Sequence, residues 1–374
     1  MNYSIEGLGL KLNTREDIEP YLKQIEPNIS QLEEIHLCGN TIGVGAAQAL
    51  AEVLNKASKI KVVDFADIFT GRLITEIPIA LAAICDSLID KAHIVEINLS
   101  DNAFGGRSVE PIVPFLSKNP SFQIFRLNNN GLGPEGGAVI ANALRDNAAV
   151  RKVIPIEGRS SLRTIICGRN RLEDGSAPAW AEAFAAHGTL VEDSRRMLPS
   201  RCSILQDNTL SQPGDRAFAA ALSSWPDLHT LNLSDCILSE EGEIPQVIDT
   251  LAKGSNPLLR TLQLQNNNLD NATVSVLAGA IGTHLKIVAR IEFQENDAEE
   301  DDEATITLIE NLTARGGKFV FSDEDEEEEE EEEEVLEDAE EGSEFGGAAG
   351  KKDEVDREAD ILADLIDKVS LTGS

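Results

Sequence analysis

Apolar and polar positions along this chain recur in one phrase, apolar-x-apolar-x-x-Asn-x-apolar. It reads as IHLCGNTI (35–42), INLSDNAF (97–104), FRLNNNGL (125–132), IICGRNRL (165–172), SILQDNTL (203–210), LNLSDCIL (231–238) and LQLQNNNL (262–269). A weaker copy is IEFQENDA (291–298), and a degenerate one, VDFADIFT (63–70), carries Ile68 in place of Asn. Successive copies are spaced 28 to 40 residues apart. The apolar residues alternate within the phrase, which turns them to one side of a short strand. A Gly-containing turn and an Ala/Leu-rich stretch follow, as in 44–57, 135–148 and 214–225. There the apolar residues fall at i, i+3, i+4 and i+7, which predicts a helix.

A strand–turn–helix unit repeated at this period stacks into a solenoid. The expected fold class is α/β: a leucine-rich-repeat solenoid of the longer, ribonuclease-inhibitor-like kind. Its parallel strands would line the concave side of a crescent and its helices the convex side. The Asn of each phrase is then structural. The chain turns sharply after the strand, and its inward backbone groups need partners, which one buried amide can supply as both donor and acceptor. Asn40, Asn102, Asn130, Asn170, Asn208, Asn267 and Asn296 fall at this position, and Cys236 replaces the amide once. Alternate strand residues would face outward on the concave side, from His36 and Cys38 through Arg126 and Asn128 to Glu292 and Gln294. That row is small and polar, which suits a protein surface more than the apolar walls of a small-molecule pocket.

Charge changes the picture at one end. The net charge is −34, and Asp323–Glu334 is an unbroken run of acids. Such a run repels itself and cannot bury a core. The organisation expected is a repeat domain over 1–321, an acidic disordered tail over 322–350, and a C-terminal amphipathic helix over 351–374. The tail reads either as a solubilising segment or as a lure that speeds encounter with a basic partner. Leu362, Leu365, Val369 and Leu371 also have the loose spacing of a nuclear export signal. The acidity argues against nucleic acid as a partner, and no apolar run is long enough to span a membrane. Five scattered cysteines without metal spacing, and no signal peptide, fit a reducing, cytoplasmic setting. No cofactor or metal is expected, and the phosphate-loop, nucleophile-elbow, zinc-protease and CxxC motifs of common enzymes are missing.

The repeat breaks in two informative places. FADIFTGRLITEIP (65–78) loses the Asn and inserts a loop carrying Arg72. Loops displayed on a rigid scaffold often carry function. Arg72 either projects to a partner or pairs with Asp67 or Glu76, and the residues alone leave both open. The fourth phrase sets Asn128, Asn129 and Asn130 in a row, with Asn130 on the ladder by register and Asn129 at the strand end.

At these residues the chain resembles the Ran GTPase-activating protein family of fungal type. The stretches that carry the resemblance include SIEGLGLKLN (4–13), FADIFTGR (65–72), NNGLGP (129–134), IICGRNRLEDGS (165–176) and SWPDL (224–228), together with the acidic tail. The resemblance implies an activator that is not itself an enzyme. It would bind Ran in its GTP form, alone or with a Ran-binding protein, and speed hydrolysis in support of nucleocytoplasmic transport. GTP and magnesium would belong to the GTPase. The family is understood to use no arginine finger, an Asn of the activator instead positioning the GTPase's own glutamine. By motif, that Asn falls on Asn130 and the family's important arginine on Arg72. Asn128, Asn129, Asp67, Arg126 and Arg169 complete the expected contact set. One departure stands out: 192–203 has no repeat grammar where the family pattern carries a further repeat. The competing reading is an acidic repeat scaffold of the histone-chaperone or phosphatase-inhibitor type.

Overall fold

The computed structural model describes residues 1–154, 162–188 and 201–322, without the side chains of 201–204. The chain divides into two units, Met1–Ser322 and Asp323–Ser374. The second unit, with the acidic run, the expected C-terminal helix and the export-like leucines, lies outside the described residues.

The first unit is a ladder of parallel strands. In chain order they are β1 (Asn2–Ser4), β2 (Lys11–Leu12), β3 (Glu34–His36), β4 (Thr41–Ile42), β5 (Val62–Asp64), β6 (Glu96–Asn98) and β7 (Ile124–Arg126). They continue as β8 (Thr164–Ile166), β9 (Arg201–Ile204), β10 (Leu228–Asn232), β11 (Thr261–Gln263), β12 (Arg290–Glu292) and β13 (Lys318–Val320). Eleven of them form one sheet in the order β1-β3-β5-β6-β7-β8-β9-β10-β11-β12-β13, while β2 and β4 pair separately. Each of the nine phrases supplies one strand of the main sheet, and β1 and β13 close its two ends, as a solenoid requires of its terminal repeats.

Helices α1 (Arg15–Ile25), α2 (Val44–Lys56), α3 (Ile77–Leu88), α4 (Val113–Lys118) and α5 (Gly133–Lys152) alternate with the strands. So do α6 (Glu173–Gly188), α7 (Gln212–Leu222), α8 (Gln246–Ala252), α9 (Asn271–Ile281) and α10 (Glu303–Thr313). The expected inward strand residues are the core. Ile35, Leu37, Val63, Phe65, Ile97, Leu99, Phe125 and Leu127 are buried, as are Leu262, Leu264, Ile291 and Phe293. The Ala-rich faces of the helices pack against them, with Ala46, Ala47 and Leu50 of α2 among the most deeply buried. Small side chains on the helix let neighbouring repeats approach closely, and the summed apolar burial holds the stack together.

The Asn ladder is continuous where the phrase is intact. Asn102 Nδ2 donates to the carbonyls of Phe65, Leu99 and Ser100, and Asn170 Nδ2 to those of Leu127, Cys167 and Gly168. Each Oδ1 accepts from the repeat before it: Ile68 N–H on Asn102, Asn102 N–H on Asn130 and Asn170 N–H on Asn208. Cys236 puts a thiol in place of the amide, and its Sγ donates weakly to the Leu205 and Ser234 carbonyls.

The irregular stretch before β9 leaves no gap in the sheet. β9 pairs directly with β8, Cys202 opposite Thr164 and Ile204 opposite Ile166. Residues 189–200 lie outside the described residues. A chain with one repeat fewer can still stack its neighbours, because each repeat touches only the next.

Candidate functional site

The residue just before each ladder position leaves the right-handed backbone regions. Gly39, Asp67, Asp101, Asn129, Arg169, Asp207, Asp235, Asn266 and Glu295, one per strand, all have φ between 47° and 73°. The sharp exit from the strand imposes this left-handed conformation, which Asn, Asp and Gly tolerate best. The result is a row of side chains along one rim, mostly acidic. Neighbours in the row pair: Asn129 Nδ2 donates to Asp101 Oδ1 at 2.9 Å, Asn266 Nδ2 to Asp235 Oδ1 at 2.8 Å, and Arg169 Nε lies 3.6 Å from Asp207 Oδ2.

The loop after β5 is anchored from below. Phe69 is buried against Phe104, ring centroids 6.1 Å apart, and Ile68 fills the ladder position with hydrocarbon. The Arg72 N–H donates to the Phe69 carbonyl at 3.0 Å, closing a four-residue turn. Gly71 sits at its third position with φ 77°, the conformation a type II turn demands of glycine. Asp67 accepts the Thr70 hydroxyl and Glu76 accepts the Leu73 N–H.

Arg72 does not project outward as a free loop residue. Its side chain folds back over the first two repeats and is half-buried. Nε donates to Thr41 Oγ1 at 2.8 Å, one terminal nitrogen to Asn13 Oδ1 at 2.7 Å, and the other to the Thr41 carbonyl at 2.8 Å. The pairing with Asp67 or Glu76 weighed from the sequence is replaced by neutral acceptors. The β2–β4 pair carries this arrangement, since it sets Lys11 opposite Thr41 and Leu12 opposite Ile42. Asp17 supports it from the other side: its carboxylate accepts the Thr14 and Asn13 N–H groups, each at 2.9 Å. Those two bonds, with Arg72's charge as a smaller contribution, hold Asp17 below the usual carboxylate range. Leu73, Ile74 and Ile79, directly beyond Arg72, are 66%, 57% and 53% exposed.

Asn130 is the main correction to the site. It is 1% exposed, Nδ2 donates to the Leu99, Leu127 and Asn128 carbonyls, and Oδ1 accepts the Asn102 N–H. With both amide hydrogens taken, it has none left for a partner. Asn129 is the exposed amide of the three. Asn128 faces the concave side, where its Oδ1 accepts the Gly168 N–H at 2.7 Å.

Of the other expected contacts, Arg126 pairs with Glu96 on the concave face, Nε to Oε1 at 2.7 Å. The far end of that face closes on itself. Gln263 and Gln265 both donate to Glu292 Oε2 at 2.6 Å, and Arg290 donates to its other oxygen. Glu292 and Gln294, expected to point to a partner, are 6% and 4% exposed. Among the described residues, no group of His, Cys, Asp and Glu is disposed to hold a metal ion.

Comparison with known proteins agrees with this architecture. A Leucine Rich repeat family profile matches residues 118–141. Ran GTPase-activating protein 1 of Saccharomyces cerevisiae is 32% identical over 329 residues, covering 81% of this chain and 80% of the yeast protein. The chain belongs to the Ran GTPase-activating protein family. Ran GTPase-activating protein 1 of Xenopus laevis is 42% identical over 193 residues, and the Ran GTPase-activating protein of Drosophila melanogaster 34% over 231. These matches span only 33% of the frog protein and 36% of the fly protein.

Asn13 and Thr41, which hold Arg72, and the exposed Leu73 and Ile74 lie outside the contact set expected from the sequence. Nothing local marks Asn13 or Thr41, which lie 59 and 31 residues from the arginine they hold. Leu73 and Ile74 did carry a signal: two bulky apolar residues following a turn glycine inside a loop.

Proposed function

We propose that this chain accelerates GTP hydrolysis on a Ran-class GTPase, with the GTPase supplying nucleotide, magnesium and a water-orienting glutamine. The chain would contribute placement and no covalent chemistry. Activators of small GTPases can raise hydrolysis on the order of 10⁵-fold, and positioning a weakly held catalytic group is a physically sufficient route.

The observation that carries this reading is the pair of groups set on one rim, in a chain so broadly similar to the yeast activator. Asn129 is exposed, and its Nδ2 is tied to Asp101. Among the described residues its Oδ1 accepts no hydrogen bond, which leaves an oriented neutral acceptor suited to a glutamine amide. In this reading Asn129 takes the role that the motif alone assigned to Asn130.

Arg72 acts as an orienting contact. Its guanidinium lies over the Thr41 repeat, and Asn129 ends the strand three places further along the sheet. At a strand spacing of about 4.8 Å the two are about 15 Å apart, too far to converge on one phosphoryl group. Two such contacts would fix the orientation of the GTPase on the rim. Leu73 and Ile74 beside Arg72 supply the apolar anchor that a stable docking surface needs. The acidic rim favours a partner with a basic face. Action in the cytoplasm, in support of nucleocytoplasmic transport, belongs to the same reading.

Phosphate release from Ran·GTP, measured with a trace of this protein, tests it. Multiple-turnover acceleration supports the activator. Stoichiometric binding to histones without acceleration favours the acidic scaffold instead.

A further inference from the structure

We propose that Asn13 and Thr41 are positioning residues for Arg72, forming a neutral cradle that fixes the guanidinium with no carboxylate in hydrogen-bond contact, so that it keeps most of its field for an anionic group of the GTPase. This inference rests on the activator reading and adds to it the device that prepares its arginine.

The choice of acceptors is the first argument. The chain has 66 acids against 32 Lys and Arg, and four of its surface arginines find carboxylates, although Arg315 is held by backbone carbonyls and Arg216 by Gln212. Arg15 pairs with Glu52, Arg126 with Glu96, Arg145 with Glu182 and Arg169 with Asp207. Arg72 meets a hydroxyl, a side-chain amide oxygen and backbone carbonyls. The acids nearest to it in sequence and space are occupied elsewhere. Asp67 takes the Thr70 hydroxyl, Glu76 the Leu73 N–H, and Asp17 the N–H groups of Asn13 and Thr14.

The cradle is also built from rigid parts. Thr41 is held in β4 against β2, and the Asn13 backbone is held by Asp17. Gly43 lets the two walls close: a Cβ there would lie 2.6 Å from the Asn13 carbonyl oxygen and 3.0 Å from an Arg72 terminal nitrogen. A planar guanidinium held at three of its nitrogens loses little further freedom when a partner binds. A carboxylate in the same place would hold it as firmly but cancel much of its field.

That difference sets the experiment. Asn13→Asp replaces one acceptor with a charged isostere, Thr41→Val removes the hydroxyl, and Thr41→Ser keeps it. Each is made in the wild-type chain and in Arg72→Ala, and scored by kcat and KM for Ran·GTP hydrolysis and by urea unfolding. Asn13→Asp is expected to be at least as stable as the wild type yet about tenfold lower in kcat/KM, a loss of about 1.4 kcal/mol of transition-state stabilisation. Thr41→Val is expected to lose activity and Thr41→Ser to retain it. In Arg72→Ala, none of the three should have a further effect. Asn13→Asp with wild-type kinetics, beside an impaired Arg72→Ala, overturns the cradle and leaves the activator reading intact. A wild-type chain that gives no stimulation overturns both.

Discussion

The backbone N–H of Asn130 donates to Oδ1 of Asn170 at 2.9 Å across 40 residues of sequence. Asn130 in turn receives the Asn102 N–H, so the residue is one rung of a chain of amides through the repeats. Its burial follows from that position, and it separates structural from functional asparagines in a stretch of three.

Asn130→Ala leaves the buried Asn102 N–H without its acceptor and takes one of two donors from each of the Leu99, Leu127 and Asn128 carbonyls. At about 1–3 kcal/mol for an unsatisfied buried group, a loss of about 2 kcal/mol or more is expected in urea unfolding. Asn129→Ala should stay within about 0.5 kcal/mol of wild type while GTPase stimulation falls sharply. Equal stability of the two variants would contradict this division of roles.

Leu73→Asp and Ile74→Asp should weaken docking without touching the positioned groups. Burying one such side chain contributes about 1.5–3 kcal/mol, so KM for Ran·GTP should rise at least tenfold with kcat nearly unchanged. A drop confined to kcat would place these residues outside the docking surface.

Gly71→Ala tests the turn that delivers Arg72. Nothing lies within 4 Å of the added Cβ, so the cost is conformational alone, imposed by φ 77°. About 1–2 kcal/mol of local strain is expected. Slower stimulation should accompany faster amide exchange at Arg72, and unchanged exchange there would reject the mechanism.

Glu243 predicts an acid-side dependence of stability. Its carboxylate accepts the Glu241 and Glu240 N–H groups, and Gln212 Nε2 from the neighbouring repeat. Backbone hydrogen bonds, that from Glu241 foremost, hold its pKa down to about 2 from an ordinary value of 4.5. A depressed folded-state pKa adds stability that is full above the unfolded value and disappears as pH falls through the folded one. The stability gap between wild type and Glu243→Gln should be constant at neutral pH and shrink between about 4.5 and 2. An NMR midpoint for Glu243 near 4.5 would refute it.

The repeat made most of the fold legible. Alternation within each phrase placed Ile35, Ile97 and Leu262 in the core, and the helices of 44–57, 135–148 and 214–225 appeared as α2, α5 and α7 within a few residues. The terminal strands β1 and β13 escaped notice because capping repeats lack the full phrase. The closure of the concave face around Glu292 was equally hidden, since it depends on Gln263, Gln265 and Arg290 from two strands meeting at one carboxylate.

The sequence by itself determined the period, the strand register and the ladder, because each follows from spacing within one repeat and needs only that like stacks on like. The tertiary structure alone decided which of Asn129 and Asn130 is exposed, and what Arg72 holds. The first turns on a left-handed φ at the strand exit, the second on contacts that cross two repeats. Such contacts leave no periodic trace, since they are formed only when the stacked repeats bring distant residues to one rim.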